Sequence, residues 1–262
     1  MTERRSPSRD ERSREWFEDW FNHPLYLQVY SHRDEAEAAR CVRTIMRLTG
    51  LDRDPSAASV LDIACGAGRH AIAFSGMGCD VTANDLSSFL LGTACSEAGS
   101  KGLDISFTNS DMRTIRLDRK FDLVAQLFSS FGYFETEEED LAVLRNVRSM
   151  LDPGGWYVLD LVNPSWLATH FVPRNEKRAG ELSITEERTL ADGKVVKRIG
   201  IADAEGRRLA FTESVKLFPR ETISAMLRSE GFDVVRVVGD YEGAEFDAEH
   251  SPRMILFSKN RA

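Results

Sequence analysis

A short apolar run leads directly into a glycine turn at residues 60–70, which read Val-Leu-Asp-Ile-Ala-Cys-Gly-Ala-Gly-Arg-His. The apolar run predicts a buried strand, and the residues after the turn predict a helix. Glycine lets the backbone come close to a ligand, and the first turn of a helix offers unpaired N–H groups. Many nucleotide-binding proteins share a Gly-x-Gly turn. Alone, it therefore indicates either a nucleotide site or a tight turn without a ligand.

Strand and helix patterns alternate after this point. Further short apolar runs occupy residues 80–83, 105–108, 121–127 and 156–161, and two more strands follow at 233–238 and 254–258. Helical stretches between the first five runs predict a parallel sheet that is covered on both faces. The sequence therefore predicts an α/β fold, a Rossmann-like doubly wound sheet of about seven strands.

Two regions depart from this alternation. Residues 16–21 carry an aromatic stripe that predicts a short helix ended by Pro24, and a second helix is expected from about Asp34 to Thr49. Between about 180 and 218, alternating residues and two Gly-containing turns predict an inserted antiparallel sheet of three strands. We expect an N-terminal tail and helical lid at 1–50, a sheet domain at 51–175 and 219–262, and an inserted subdomain at 176–218.

Composition narrows the class of protein. The chain has 262 residues, 42% of them hydrophobic and 29% charged, which is typical of a globular protein. A net charge of -8 argues against a non-specific nucleic-acid binder, and no run is apolar for long enough to span a membrane. The four cysteines form no CxxC pair, so we expect a reducing compartment, a cytoplasmic location and no metal site.

Two carboxylates follow the next two strands. Asp85 ends the second strand, where an acid can accept both hydroxyls of a ribose, and Asp111 follows the third, where it could accept from an adenine amino group. A nicotinamide dehydrogenase is the alternative nucleotide enzyme, but Ala71 stands at the third glycine position of its fingerprint and Asp111 would have no role. Three features at three consecutive strand ends favour a nucleotide-type ligand.

The stretches 61–68, 84–87, 111–112, 121–124 and 151–155 together resemble class I S-adenosylmethionine-dependent methyltransferases. The layout of the inserted sheet is similar to that of N-methyltransferases acting on glycine or amino sugars. The resemblance implies S-adenosylmethionine as cofactor. It implies that the following residues hold it: Arg33, Asp62, Ala64, Gly66, Gly68, Asp85, Leu86, Asp111, Met112, Gln126 and Leu127.

The resemblance also implies roles within this set. Gly66 and Gly68 would pass beneath the methionine part of the cofactor, with Asp62 directed towards its amino group. Arg33, in a segment that would cover the cofactor, could pair with its carboxylate. The end of the fourth strand, including Phe128, would line the side where the methyl group is transferred.

Catalytic residues are harder to predict, because displacement of a methyl group from a sulfonium mainly requires alignment of the reactants. A general base helps only if the nucleophile must lose a proton. Tyr30, His32 and His170 are the candidates. Glu213 lies on an otherwise apolar strand face, and an arginine of a neighbouring strand, Arg188 or Arg198, is expected to pair with it.

The function predicted is methyl transfer by in-line displacement to an amine or hydroxyl of a small molecule. The alternatives are a protein that binds the cofactor without transferring the methyl group and, as a third possibility, the dehydrogenase. We expect a small-molecule substrate, no nucleic-acid or membrane partner, and a monomer or homodimer. The identity of the acceptor is not encoded in any motif that we recognise.

Overall fold

The computed structural model describes residues 15–31 and 34–261. Its central sheet consists of β1 (Ser59–Ile63), β2 (Asp80–Asp85), β3 (Ile105–Asn109), β4 (Phe121–Gln126), β5 (Leu151–Val162), β10 (Phe232–Val238) and β11 (Arg253–Asn260). The strand order is β10-β11-β5-β4-β1-β2-β3, and only β11 runs antiparallel to its neighbours. The predicted seven-stranded doubly wound sheet is confirmed.

The helices of the described part are α1 (Trp16–Phe21), α2 (Leu25–Val29), α3 (Glu35–Thr49), α4 (Arg69–Gly76), α5 (Ser88–Ser100), α6 (Glu137–Met150), α7 (Pro164–Thr169) and α8 (Arg220–Ser229). One apolar cluster packs α3, α4 and α5 on one face of the sheet, and another packs α6 and α8 on the other. Leu123 and Val124, consecutive in β4, belong to opposite clusters, and both are fully buried. Helices cover both faces because such strands are apolar on both sides.

The inserted sheet has four strands, not three. They are β6 (Arg174–Ala179), β7 (Leu182–Ala191), β8 (Lys194–Ala202) and β9 (Arg208–Lys216), in antiparallel order. The sequence pattern missed β6 because it reads Arg-Asn-Glu-Lys-Arg-Ala and has no apolar alternation. This strand lies at the edge and pairs with β7 alone, so its charged side chains can remain in solvent.

The N-terminal helices divide between two parts of the fold. α1 forms where the aromatic stripe predicted it, but Pro24 is also the N-cap of a second short helix, α2, that was not predicted. Trp20 and Tyr30 pack against apolar residues of the inserted sheet, whereas α3 belongs to the core of the central sheet. Within the described residues, the segment that packs on the inserted sheet is therefore α1–α2. Residues 1–14, where the predicted N-terminal tail begins, lie outside the described residues.

No helix in the described ranges is both long and apolar enough to cross a membrane.

Candidate active site

A cavity of about 300 Å³ lies at the carboxyl edge of the central sheet, covered by α1 and α2. Open α/β sheets bind ligands at this edge, and the volume is at the lower end of the range for small-molecule sites. Many of the residues proposed from the sequence line it: Tyr30, Ala64, Gly66, Asp85, Leu86, Asp111, Met112 and Leu127. The structure therefore brings the ends of four strands together with the N-terminal helices. We call this space the cofactor cavity.

Other proposed residues do not line the cavity. Gln126 is buried at the end of β4, where it donates to the Ser130 carbonyl oxygen at 2.8 Å and accepts from the Tyr157 hydroxyl at 2.6 Å. His170 is exposed at the end of α7, with its ring stacked on Trp166 at 4.4 Å between centroids.

Two further candidates, His32 and Arg33, lie outside the described residues. Within the described ranges, no three His, Cys, Asp or Glu side chains are grouped so that they could hold a metal ion.

The two glycines of the glycine turn, residues 64–68, have different surroundings. Gly66 has φ +58°, and a Cβ built on it would meet no protein atom within 4 Å, so its backbone borders open cavity space. Gly68 has φ +80°, but its Cβ would lie 2.7 Å from the Cβ of Ala94 in α5. Gly66 therefore leaves room for a ligand. The free side of Gly68 faces a helix, so its lack of a side chain is needed for packing against α5. Its contact with the cofactor stays a prediction.

Asp85 is held firmly at the end of β2. It is 7% exposed, and its carboxylate accepts from the backbone N–H of Gly66 at 2.7 Å and of Ser87 at 2.8 Å. Burial raises the pKa of Asp85, while these backbone hydrogen bonds act in the opposite direction. Each carboxylate oxygen has a further lone pair. The side chain is therefore oriented in advance and can still accept hydrogen bonds from ligand hydroxyls.

Asp62 lies in β1 beneath the glycine turn and does not line the cavity. It is 1% exposed, and its Oδ2 is buried with no hydrogen-bond partner among the described residues. Burial raises the pKa of Asp62 to about 7, partly offset by the backbone N–H of Ala71; the charge of Asp85 raises it further and that of Arg69 lowers it. An ionised carboxylate here would gain from a nearby cation, since an unpaired buried charge is costly.

Comparison with known proteins agrees with a cofactor site in this cavity. The family model described as a methyltransferase domain matches residues 60–155. The dTDP-3-amino-3,4,6-trideoxy-alpha-D-glucopyranose N,N-dimethyltransferase of Streptomyces venezuelae is 31% identical over 58% of this chain and 63% of its own. Residues 60–155 therefore form a methyltransferase domain. S-adenosylmethionine is therefore its cofactor, and the dehydrogenase alternative falls away.

Two further similarities support the assignment. The cypemycin N-terminal methyltransferase of a Streptomyces species is 26% identical over 77% of this chain and 83% of its own. The crystal structure of an S-adenosylmethionine-dependent methyltransferase from Clostridium acetobutylicum superposes with a TM-score of 0.76, covering 93% of this chain and 99% of that one. Its identity is only 19%, so this last similarity concerns the fold.

The residues of the methyltransferase cavity fit the cofactor. Gly66 leaves space where any side chain would intrude, and Asp85 points two backbone-anchored oxygens at the same region. The unpartnered Oδ2 of Asp62 lies beneath the turn, where a positively charged amino group would compensate it. The turn glycine, the strand-end acid Asp85 and the buried acid Asp62 thus occur together on β1, β2 and the turn that follows β1.

Asp111 is held at the cavity by Arg113. The Arg113 guanidinium donates to Asp111 Oδ2 at 2.6 Å, to Glu15 at 2.7 Å and to Glu139 at 2.7 Å. These contacts join the start of α1 and the start of α6 to the loop after β3. Both carboxylate oxygens of Asp111 are engaged by Arg113, because Oδ1 also accepts from the Arg113 backbone N–H at 2.8 Å and Nε contacts both oxygens at 3.0–3.1 Å. Acceptance from an adenine amino group therefore stays a prediction.

Arg69, the first residue of α4, was missed by the sequence interpretation although it directly follows the Gly-x-Gly turn. It lines the cavity, and its Nη1 donates to Glu37 at 2.9 Å. Its Nη2 is buried with no hydrogen-bond partner among the described residues. The guanidinium carbon lies 4.3 Å from the centroid of the Phe128 ring. A charged donor that is buried and unused is a good candidate to bind a ligand carboxylate.

Phe128 and Ser129 follow β4 in an unusual backbone conformation. Their φ angles are +61° and +60°, and neither residue is a glycine. For residues with a side chain, the left-handed region costs roughly 1–2 kcal/mol each. Phe128 lines the cavity. We call Phe128–Ser129 the left-handed turn; no local sequence signal predicted it.

Tyr30 links the cavity to the inserted sheet. Its hydroxyl donates to Glu213 Oε1 at 2.5 Å, and Trp20 Nε1 donates to the same oxygen at 2.8 Å. The expected partner of Glu213 was an arginine, but Lys197, its direct cross-strand neighbour, pairs with it at 2.7 Å and also donates to the Tyr30 hydroxyl. Burial alone would raise the pKa of Glu213, but Lys197 and the two hydrogen bonds hold it below its usual value.

Proposed function

We propose that this methyltransferase transfers a methyl group from S-adenosylmethionine to the amino group of a small molecule of the amino-sugar type. The observation that carries the proposal is a single cavity lined both by the glycine turn with its carboxylates and by three tyrosines, Tyr26, Tyr30 and Tyr133. Curated relatives are named as N,N-dimethyltransferases of dTDP-amino sugars. The alignments with the first and third of the curated relatives span 63% and 60% of those proteins.

In this proposal the cofactor is held from β1, β2 and the loop after β3. Asp85 accepts the ribose hydroxyls, and Asp111 with the Met112 backbone receives the adenine. Arg69 binds the carboxylate for which the sequence analysis suggested Arg33, because Arg69 lines the cavity and its buried Nη2 has no hydrogen-bond partner within residues 15–31 and 34–261. Asp62 lies close enough to the turn for an amino group there to favour its ionised form.

When bound, S-adenosylmethionine supplies a methyl group that is already activated by the sulfonium. The chain's own residues therefore have to align the acceptor and keep its nitrogen unprotonated. Tyr30 is the residue that we propose contacts the acceptor. Its hydroxyl is fixed by Glu213 and Lys197, and Glu213 remains ionised at neutral pH because its pKa is lowered.

Mass spectrometry of reactions with matched acceptors tests the proposal. The purified chain is incubated with S-adenosylmethionine and a dTDP-amino sugar, or with the corresponding dTDP-sugar that carries a hydroxyl in place of the amine. We expect S-adenosylhomocysteine and a product that has gained one or two methyl groups from the amine alone. A peptide with a free N-terminus tests the other amine class among the relatives. Methylation of the hydroxyl sugar, or no methylation of any amine, would contradict the proposal.

The Tyr30→Phe variant sharpens this test, since it removes only the hydroxyl. We expect a lower kcat with the amine and an unchanged affinity for S-adenosylhomocysteine. The absence of a nucleic-acid partner, the monomer or homodimer state and the cytoplasmic location stay predictions of the sequence.

A further inference from the structure

The left-handed turn is held by a buried carboxylate that the proposed transfer does not use. Asp160, in β5, is fully buried. Its Oδ2 accepts from the backbone N–H of Phe128 at 2.8 Å, and its backbone oxygen accepts from the N–H of Ser129 at 2.9 Å. Both N–H groups of the turn therefore donate to this one residue.

Two side chains complete the arrangement around Asp160. Arg253, in β11, donates to Oδ1 through Nε at 2.8 Å and through Nη2 at 2.7 Å, and Nη2 also donates to Ser129 Oγ at 3.0 Å. The Tyr241 hydroxyl donates to Oδ2 at 2.8 Å. Burial raises the pKa of Tyr241, so the hydroxyl keeps its proton. Asp160 is thus fully hydrogen-bonded and neutralised, as a buried charge must be.

The ring of Phe128 is close to two guanidinium groups. Its centroid is 4.3 Å from the Cζ of Arg69 and 5.5 Å from the Cζ of Arg253. Both distances are within the range of cation–π attraction. The backbone bonds of the turn and the contacts of the ring therefore fix Phe128 in one place on the cavity wall.

We propose that Asp160 is a positioning residue of the cofactor cavity, which with Arg253 and Tyr241 holds Phe128–Ser129 left-handed so that the Phe128 ring forms the wall. Left-handed backbone in residues with a side chain persists only where the surroundings over-determine it, and it concentrates at ligand sites. The inference rests on the cavity holding S-adenosylmethionine and not on the acceptor being an amine. A failure of the amine proposal would therefore leave it standing.

The competing explanation is a buried ion pair that stabilises the fold and nothing else. A matched pair tests this, because Asp140 and Lys216 form an ion pair of nearly the same burial away from the cavity lining. Replacing a buried ion pair by apolar residues of similar volume is often tolerated. The test variants are Asp160→Leu/Arg253→Met and, as control, Asp140→Leu/Lys216→Met.

Calorimetric titration with S-adenosylhomocysteine measures the outcome. We expect the Asp160→Leu/Arg253→Met variant to lose affinity by roughly tenfold or more, which is about 1.4 kcal/mol. The control pair should stay within about twofold of the unmodified chain, in keeping with additivity for distant sites. Equal losses in the two variants, or no loss in either, would overturn the proposal.

A rescue experiment separates positioning from stability. Glycine accepts positive φ without strain, so Ser129→Gly added to the Asp160→Leu/Arg253→Met variant should recover most of the affinity. Asp192→Gly, at another positive-φ residue in the β7–β8 hairpin, relieves comparable strain outside the cavity and should recover none. Recovery by both glycines, or by neither, would contradict a positioning role.

If the double replacement does not fold, Tyr241→Phe takes its place, since it removes a single hydrogen bond to Asp160. We expect a measurable loss of S-adenosylhomocysteine affinity with little change in Tm. A lower Tm at unchanged affinity would overturn the proposal.

Discussion

The glycine turn after β1 and the left-handed turn after β4 border the same cavity but are built in opposite ways. At the glycine turn, Gly66 and Gly68 adopt positive φ at no steric cost. At the left-handed turn, Phe128 and Ser129 adopt the same backbone region and depend on Asp160, far away in the chain, to remain there. The first turn makes space for the cofactor, whereas the second places a side chain beside it. Each solution follows from what the cavity needs at that point.

The strongest test of the glycine turn compares its two glycines. Gly66→Val should reduce the affinity for S-adenosylhomocysteine by more than about 1,000-fold, or 4 kcal/mol, because the new side chain occupies cavity space. It should also cost about 1–2 kcal/mol of stability, since Gly66 has φ +58°. Gly68→Val should instead destabilise the fold by roughly 3–5 kcal/mol, since its Cβ collides with Ala94. Calorimetry and urea unfolding distinguish the two effects. If Gly68→Val loses binding without losing stability, Gly68 contacts the cofactor.

The next prediction concerns the protonation of Asp62, which lies beneath the glycine turn. Its folded-state pKa is raised from 3.8 to about 7, so the folded protein binds a proton more tightly than the unfolded chain. Stability contributed by this group is therefore present at low pH and lost as the pH rises from about 4 to 7. Asp62→Asn cannot titrate and should be more stable than the unmodified chain by up to roughly 4 kcal/mol at pH 8.

The advantage of Asp62→Asn should shrink towards pH 4.5, as measured by urea unfolding at several pH values. An advantage that does not change with pH would show that Asp62 is ionised throughout.

Asp85 accepts from the backbone N–H of Gly66 and is the residue that we propose for the ribose. Asp85→Asn should weaken the binding of S-adenosylhomocysteine by about 1–3 kcal/mol, the usual cost of losing a hydrogen bond to a charged group. Ser87→Ala is the matched control, because it removes the N-cap of α5 beside the same carboxylate without removing an acceptor from the cavity. Calorimetry that shows equal affinities for the Asp85 variant and the unmodified chain would exclude Asp85 from the ribose site.

Arg69 joins the two turns, because it begins α4 after the glycine turn and stacks on Phe128. Arg69→Gln should weaken the binding of S-adenosylhomocysteine by about tenfold, or 1.4 kcal/mol. It should leave 5′-methylthioadenosine, which lacks the carboxylate, nearly unchanged. Equal weakening of both ligands would show that Arg69 acts only through the shape of the cavity wall.

The smallest effect is expected at Ala64, the one residue of the glycine turn with a side chain at positive φ, +58°. Ala64→Gly relieves this strain and should stabilise the protein by up to about 1 kcal/mol. Thermal unfolding measures the change, and a decrease in Tm would show that the Ala64 methyl group contributes packing that outweighs the strain.

The difference between the turns also explains what could be predicted from the sequence. The glycine turn, Asp85 and Asp111 are visible because glycine and strand-end acids are local signals with fixed spacing. The left-handed turn depends on Asp160, Tyr241 and Arg253, which lie 31 or more residues away, and neither Phe128 nor Ser129 favours positive φ. Long-range hydrogen bonds leave no local pattern.

The errors elsewhere have the same origin. β6 is an edge strand whose charged side chains show no apolar alternation, so the sequence pattern does not reveal its pairing. The partner of Glu213 is decided by strand register, which places Lys197 directly opposite it. The fold class follows from periodicity and the cofactor from the resemblance to a known family, whereas these contacts follow from register and packing.

A crystal structure of the methyltransferase with S-adenosylhomocysteine tests the central claim most directly. The account predicts that the ligand lies in the cofactor cavity, with its ribose bound to Asp85 and the protein backbone at Gly66 close to it. Phe128 should contact the ligand and keep φ near +60°. A ligand bound elsewhere, or a right-handed Phe128–Ser129 turn in the complex, would contradict the claim that these two turns form one binding site.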